Sequence, residues 1–418
     1  MKQKRQNSGK IKYLYLPVFI AVMLMTIGFK SLGSEQSILD FLHQAADCTI
    51  TRVTGTPVYD AKLTFTGDIM VHSYQYDEAY NSQTGEYDFK HNFEDVKKYL
   101  DDSDFVVGNF ETTMAGENVG ISDYPCFNSP DSIADAIQYA GFDLVTTANN
   151  HCMDKGMKGT LRTLKILDDH SIGHIGTYSS EEARSQIYIK NINGINVAFL
   201  SYTYGTNGIR IPEDWLVNII SEDLIKSDIA RAKALNPDII VVLPHMGNEY
   251  EEYPKEVFKN WAYTMLNAGA DIVVASHPHV LQPMETVDIT NDDGSIRKGF
   301  VMYSMGNFIS SQTTPPRNAS IILNIEIEKK NNDTTITGIS FIPIWTQFRN
   351  ASNTGNYFVV RSVYEMLTMP EADLKKTIRQ SDISRLKDIH FETTKKLLDQ
   401  NIPLENIQNE YLFYGKML

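Results

Sequence analysis

The sequence is poor in cysteine, and this scarcity limits the metal and redox chemistry that it can support. Its three cysteines, Cys48, Cys126 and Cys152, are odd in number and lack the paired spacing of a thiolate metal site. We therefore expect neither a disulfide framework nor an iron–sulfur cluster. Cys152 directly follows a histidine, and we expect it to be a small buried side chain.

The sequence also lacks a phosphate-binding loop of the form Gly-x-x-x-x-Gly-Lys-Ser/Thr. This absence argues against an ATP-dependent ligase of the P-loop type. Low-complexity segments and repeats of a fixed period are missing as well. The 418 residues, of which 42% are hydrophobic and 22% charged, suffice for one large globular domain or two smaller ones.

Positive charge is scarce in the chain. Lysine and arginine number 38 against 52 aspartate and glutamate residues, which gives a formal net charge of −14. Several of the positive charges lie in residues 1–12, so the remainder is more acidic still. An acidic surface repels nucleic acid, and it disfavours a broad groove for a polyanion unless metal ions or local arginine and lysine offset it. We therefore predict no nucleic-acid partner.

The N-terminus carries an export signal. Residues 1–12 form a basic flank without an acidic residue, and the uncharged run Tyr13–Phe29 follows. This order predicts a cytoplasmic N-terminus, a single membrane anchor over 13–29, and a cell-membrane protein whose bulk is extracytoplasmic. The run is at the short limit for a spanning helix, so a cleaved signal is the alternative. No Ala-x-Ala pattern follows Phe29, which favours the retained anchor.

The rest of the chain divides into three predicted segments. Residues 30–60 are polar and weakly periodic, which indicates a stalk. Apolar strand-like runs alternate with helical patterns over 61–350, which predicts an α/β layered domain. Within it, Asn193-Gly194 is a turn signal that predicts a β-hairpin. Residues 351–418 are polar and predicted to be a mostly helical C-terminal appendage.

Five predicted strands end in a carboxylate, an amide or an imidazole. In chain order these ends contain Asp68, then Asn109 and Glu111, then Asn150 and His151, then His245, and last His277 and His279. If Asp271–Ser276 is a strand, its two histidines point to the same side, because side chains alternate along a strand. Sites in open α/β sheets form beyond the carboxyl ends of the strands.

This set of residue types predicts a metal centre. Mixed oxygen and nitrogen ligands without thiolate suit Zn²⁺, Mn²⁺ or iron. Two divalent ions with a bridging carboxylate could clamp the attacking and leaving oxygens of a phosphoryl group, and a free imidazole could protonate the leaving group. Taken singly, each histidine is also explained as a core residue, each acid as the end of a strand, and each asparagine as a turn residue. Their coincidence at five strand ends favours the site.

Six motifs resemble those of a known family. In order they are "FTGDIM", "VVGNFET", "TTANNHCMDKG", "PHMGNEYEEYP", "ASHPHVLQPME" and "YSMGNF", and they resemble the CapA-type poly-γ-glutamate capsule synthesis proteins. The resemblance implies an outward-facing component of a capsule polymer machine, with membrane subunits as partners and an anionic polymer or phosphorylated substrate. It also implies a calcineurin-like metallophosphoesterase fold, a four-layer α/β/β/α sandwich.

The resemblance further implies a role for each strand-end residue. Metal ligands would be Asp68, Glu111, Asn150, His245, His277 and His279, with Glu111 bridging; His151 would be the acid for the leaving group. The first motif departs from the phosphoesterase pattern, because Asp68-Ile69-Met70 replaces Asp-x-His. One of two metal positions is therefore expected to be weak or missing. His72 is a candidate replacement for the missing histidine ligand, but its spacing from Asp68 differs from that of the phosphoesterase pattern. Glu111 is also longer than the aspartate that it replaces. These departures argue against ordinary phosphatase activity.

Further residues are candidates around this centre. We predict that Asp154 either orients His151 or caps the following helix. Substrate contacts are predicted for Asn109, Glu249, Tyr250 and Asn307; a solvated loop or a tight turn is the alternative for the last three. Three functions remain open at this stage: a capsule polymer component, a plain extracytoplasmic metal-dependent phosphoesterase, and a non-catalytic scaffold of a membrane complex.

Overall fold

The structure is a computed structural model that describes residues 57–291, 293–331, 333–352 and 355–415. The chain separates into two units, Met1–Val58 and Tyr59–Leu418. The predicted flank 1–12, the anchor 13–29 and nearly all of the stalk 30–60 lie outside the described residues. Within the described ranges, no helix combines the length and the apolar character that a membrane crossing requires.

The strands of the described ranges form two large sheets and one short ribbon. They are β1 (Val58–Ile69), β2 (Tyr80–Asn81), β3 (Glu86–Tyr87), β4 (Phe105–Phe110), β5 (Leu144–Thr146), β6 (Gly173–Ile175), β7 (Tyr188–Ile192), β8 (Ile195–Thr203), β9 (Ile239–His245), β10 (Ile272–Val274), β11 (Met284–Thr290), β12 (Ile296–Met302), β13 (Asn307–Ile309), β14 (Ala319–Lys330), β15 (Asp333–Arg349), β16 (Asn356–Ser362) and β17 (Tyr411–Gly415).

Helices connect many of these strands. They are α1 (Ser73–Ala79), α2 (Glu94–Asp101), α3 (Ser132–Ala140), α4 (Gly156–Asp169), α5 (Glu181–Ser185), α6 (Glu222–Ala234), α7 (Glu256–Ala268), α8 (Val363–Thr368), α9 (Glu371–Thr377) and α10 (Gln380–Leu398). Helix α3 ends at Gly141, which adopts a left-handed conformation with φ of 98° that suits glycine at a helix end.

The larger sheet has nine strands in the order β16-β15-β14-β1-β4-β5-β6, with β13 beside β1 and β17 beside β15. Strands β1, β4, β5 and β6 run parallel. The smaller sheet has six strands in the order β11-β12-β10-β9-β8-β7, and its central strands are also parallel. Parallel strands place their carboxyl ends along one edge of a sheet, which is where a site forms.

The main core lies between the two sheets. Phe65 and Val107 of the larger sheet share one buried cluster with Phe199, Val241 and Phe300 of the smaller sheet. These strands are apolar on both faces because helices cover their outer sides. Helices α2 and α3 pack on the outer face of the larger sheet, and helices α6 and α7 pack on the smaller sheet. The layers therefore run helix, sheet, sheet, helix.

Two features of the fold bear on the sequence predictions. The hairpin at Asn193-Gly194 is confirmed, because β7 and β8 pair antiparallel across it. The C-terminal segment is mostly helical but is not an appendage, since both β16 and β17 pair with β15 in the larger sheet. The pairing of β17 with β15 joins segments far apart in sequence, and the weak local pattern of residues 351–418 does not predict it.

Candidate metal centre

The predicted strand-end residues come together where the two sheets meet. Asp68 of β1 lies in register between Asn109 of β4 and Asn307 of β13. The close approach of β1 to the segment before β13 requires glycine at position 67, since a Cβ atom there would lie 1.8 Å from the carbonyl oxygen of Gly306. The backbone of β1 thereby holds the Asp68 carboxylate against its neighbours.

Two buried carboxylates form the floor of the centre. Asp68 and Glu111 have no exposed surface. The Asn109 side-chain amide donates to both, to Asp68 Oδ1 at 2.8 Å and to Glu111 Oε2 at 3.1 Å. Asn109, predicted to contact substrate, thus already uses its donors inside the cluster, and its contact with substrate stays a prediction.

The Glu111 carboxyl group is in an unusual electrostatic environment. Burial raises its pKa well above the ordinary value, and the neighbouring carboxylates of Asp68 and Glu249 raise it further. Among the described residues, Glu111 Oε1 has no hydrogen-bond partner. The nearest imidazole nitrogens are His245 Nε2 at 3.5 Å and His279 Nε2 at 3.8 Å. A buried acid with an open oxygen is suited to bind a cation.

Three histidines of the smaller sheet complete the cluster. His245 ends β9, and its Nε2 lies 2.8 Å from Asn150 Oδ1. His279 Nδ1 lies 3.1 Å from Asp68 Oδ2 and 3.0 Å from Asn307 Oδ1. Burial lowers the pKa of His245 well below its usual value, and burial also lowers that of His277 to about 3. Neutral imidazoles are the form that binds a metal.

The backbone around His277 and His279 differs from the predicted strand. Strand β10 ends at Val274, and both histidines have positive φ, 107° for His277 and 58° for His279. They therefore do not lie at alternating positions of an extended strand, and that part of the prediction is wrong. A turn around Pro278 brings both rings into the cluster, with their centroids 5.8 Å apart.

The geometry of these residues fits a divalent metal. Ligand atoms of Glu111, His277 and His279 lie within 4.8 Å of one another, and so do those of Asp68, Glu111 and His245. Within the described part of the chain, buried His277 Nδ1 has no hydrogen-bond partner, like Glu111 Oε1. We call these five residues the carboxylate–histidine cluster. Its oxygen and nitrogen atoms suit Zn²⁺, Mn²⁺ or iron.

His151 lies beside the cluster and contacts a buried acid. Its Nδ1 is 2.8 Å from Asp154 Oδ2, which also accepts from the Phe127 backbone N–H at 2.7 Å. The N-cap of α4 is Lys155, so the structure places Asp154 against His151 and not at the helix cap. The Phe127 ring packs edge-on to His151 at 4.7 Å; the sequence contains no motif that signals this contact.

His72 does not join the carboxylate–histidine cluster. It is the residue before α1, and its Nδ1 lies 3.3 Å from Gln75 Oε1. Its ring packs against Phe127 at 5.2 Å, so Phe127 contacts both His72 and His151. Burial lowers the pKa of His72 to about 4. Neither candidate group of metal ligands includes it.

Comparison with known proteins assigns the chain to a family. Residues 62–312 match the family described as "Bacterial capsule synthesis protein PGA_cap". The chain belongs to this capsule synthesis family. It is 28% identical to "Capsule biosynthesis protein CapA" of Bacillus anthracis, over 80% of this chain and 79% of the relative. It is 29% identical to "PGA biosynthesis protein CapA" of Bacillus subtilis, over 78% and 80%. The resemblance seen in the six motifs is confirmed.

Solved structures of other proteins are more distant. The NAD nucleotidase NadN of Haemophilus influenzae is 13% identical with a TM-score of 0.44, covering 82% of this chain and 64% of that protein. The calcineurin-like phosphoesterase YfkN of Bacillus subtilis is 14% identical with a TM-score of 0.40, covering 80% and 99%. The assignments of site residues in this capsule synthesis protein rest on its own geometry.

Exposed side chains surround the cluster of this family member. We call Tyr204, Glu249 and Tyr250 the rim, since all three are exposed. The Tyr204 ring lies 4.7 Å from that of His277, and the Tyr250 ring lies 6.1 Å from that of His279. Sequence reasoning named Glu249 and Tyr250 but missed Tyr204, although it follows the end of β8 as other site residues follow their strands.

Proposed function

We propose that this chain is a membrane-anchored, extracytoplasmic component of the synthesis or export of poly-γ-glutamate, or of a related surface polymer, and that it uses one or two divalent metal ions. The family and the names of the relatives support the capsule role. The basic flank 1–12 and the uncharged run 13–29 support the anchor. The partners of such a protein are membrane subunits and an anionic polymer or a phosphorylated substrate.

One observation carries the metal part of this proposal. The carboxylate–histidine cluster brings two buried carboxylates and three imidazoles together, and two of their buried atoms lack hydrogen-bond partners within the described residues. These five residues and Asn150 would hold the ions. A bound divalent ion polarises a phosphoryl or carbonyl oxygen and lowers the pKa of water.

His151 is the residue that acts on a substrate directly. With His151 Nδ1 held by Asp154, Nε2 is the nitrogen left to give a proton to a leaving group. Two buried neighbours, Phe127 and Asp154, fix the orientation of this ring and keep water from it. We further propose that the fold is a metallophosphoesterase sandwich with a hydrolytic centre.

The test is the metal content of the purified full chain together with polymer production. We expect transition metal in the wild type and its loss in His277→Ala/His279→Ala. The matched control is His170→Ala/His174→Ala, which removes two histidines that pair with surface aspartates. In a strain that depends on this chain for its polymer, the first variant should abolish production and the control should not. Metal-free wild type under Zn²⁺ or Mn²⁺ loading would refute the metal centre.

A second candidate function rests on the contact between His151 and Asp154. A proton donor oriented by an acid is what a phosphoesterase outside the capsule pathway needs. Hydrolysis of a nitrophenyl phosphate diester by the full chain, lost in His151→Ala while polymer production persists, would favour it. Polymer production that survives Asp68→Ala/His277→Ala would instead favour a non-catalytic scaffold.

A further inference from the structure

Arg317 lies at the rim of the centre and contacts one of its tyrosines. The guanidinium carbon is 3.6 Å from the centroid of the Tyr250 ring, which is stacking distance for a cation on an aromatic face. The Tyr250 ring is in turn 6.1 Å from the ring of His279. One aromatic ring therefore separates the guanidinium from a residue of the carboxylate–histidine cluster.

The backbones of both partners are bonded to the segment that carries the cluster histidines. The Tyr250 N–H donates to the carbonyl oxygen of Pro278 at 2.8 Å. The carbonyl oxygen of Arg317 accepts from Asn307 Nδ2 at 3.1 Å, and Asn307 Oδ1 lies 3.0 Å from His279 Nδ1. These bonds fix the position of Arg317 relative to the cluster from two directions.

The guanidinium of Arg317 has no carboxylate partner among the residues that the structure describes. Within the described part of the chain, no hydrogen bond or ion pair engages its guanidinium, although Glu249 lies next to Tyr250 in the rim. Arg162 and Arg184, in contrast, pair with carboxylates at 2.6 Å and 2.7 Å. Arg317 is also half-buried, so its free N–H groups are held at the entrance and are not dispersed in solvent.

Stacking on a ring leaves the edge of the guanidinium free for a planar, two-pronged hydrogen bond to an oxyanion. We propose that Arg317, positioned by Tyr250, binds an oxyanion of the substrate at the entrance to the carboxylate–histidine cluster. The oxyanion is a side-chain carboxylate of the polymer or a phosphoryl group, which share this chemistry. The inference rests on the proposed function, because it assumes that the substrate enters at this rim.

The experiment measures binding of two probes to the metal-loaded full chain: a γ-linked glutamate oligomer and inorganic phosphate. Arg317→Gln should lower the affinity for the probe that mimics the substrate by about tenfold to a hundredfold. Arg317→Lys should recover only part of this loss, because lysine offers a point charge and no fork. Tyr250→Phe keeps the ring and should bind within about twofold of the wild type, whereas Tyr250→Ala should bind more weakly.

Controls separate the possible outcomes. Lys298→Gln removes an exposed charge on β12 and should leave the affinity for both probes unchanged. If Arg317→Gln loses only the binding of the oligomer, Arg317 binds a carboxylate of the substrate. If it loses only the binding of phosphate, Arg317 binds a phosphoryl group. If the metal content is normal and Arg317→Gln binds both probes as the wild type does, or the wild type binds neither probe, the inference is wrong. If the wild type takes up no metal, the proposed function itself fails.

Discussion

Replacing Glu111 by glutamine tests the metal centre through stability, without any assumption about substrate. Glutamine has nearly the same shape as glutamate but carries no charge. In the metal-free chain the pKa of Glu111 is raised by burial and by Asp68 and Glu249. The folded state therefore holds a proton at pH values where the unfolded state has released it. The contribution of this group to the free energy of unfolding therefore falls as the pH rises from its pKa in the unfolded chain through its pKa in the folded chain.

The sign of the effect follows from this linkage. Without metal, Glu111→Gln should be at least as stable as the wild type at neutral pH, because it removes the penalty of ionising a buried acid. A bound cation favours the ionised carboxylate, so metal should stabilise the wild type and not the variant. At a free metal concentration of one hundred times Kd, the wild type should gain about 2.7 kcal/mol in free energy of unfolding.

The assay is thermal unfolding of the full chain with and without Mn²⁺ or Zn²⁺, from pH 5 to pH 8. A gain of this size raises the midpoint of a domain this large by about 3–6 °C. The matched control is Glu326→Gln, which replaces a buried carboxyl on β14 whose pKa burial also raises. It should keep the full metal response. An equal rise in Glu111→Gln and in the wild type would refute the metal centre as described.

Three other predictions concern different parts of the molecule. His151→Gln should lower any hydrolytic rate about 10²- to 10⁴-fold without reducing the metal content; equal rates would remove His151 from the reaction. In a maleimide assay near pH 7.5, exposed Cys126 should be labelled, while burial, which raises the pKa of the Cys152 thiol to about 12, should protect Cys152 until urea unfolds the chain. Fast labelling of native Cys152 would contradict its packing. Phe65→Ala, in the core between the sheets, should cost about 3–5 kcal/mol in urea unfolding, and a loss under 1 kcal/mol would mean that the sheets do not pack there.

Much of the candidate centre could be predicted because parallel strands deliver their ends to the same edge. Asp68 and His245 lie at strand ends that local patterns predict and the fold preserves. The hairpin at Asn193-Gly194 also depends only on its own turn chemistry. In each case the information lies within a few residues of the feature.

What could not be predicted depends on contacts between distant segments. The pairing of β17 with β15 joins residues far apart in sequence, and a short polar strand carries little local signal. The contact of Arg317 with Tyr250 and the donor role of Asn109 between two carboxylates likewise arise only after the chain has folded. The sequence predicts a strand end at His277, and it carries no local signal for the positive φ values of His277 and His279.

The position of the cluster between two sheets has a consequence for the lifetime of the folded chain. Asp68 belongs to one sheet, and His279, which is 211 residues further along, follows a strand of the other. An ion held by both residues, as we propose, would be a removable cross-link between the two sheets. Separation of the sheets would then require release of the ion, so we expect the unfolding rate to fall as the concentration of free metal rises. A chelator would act on this protein as a reducing agent acts on a disulfide.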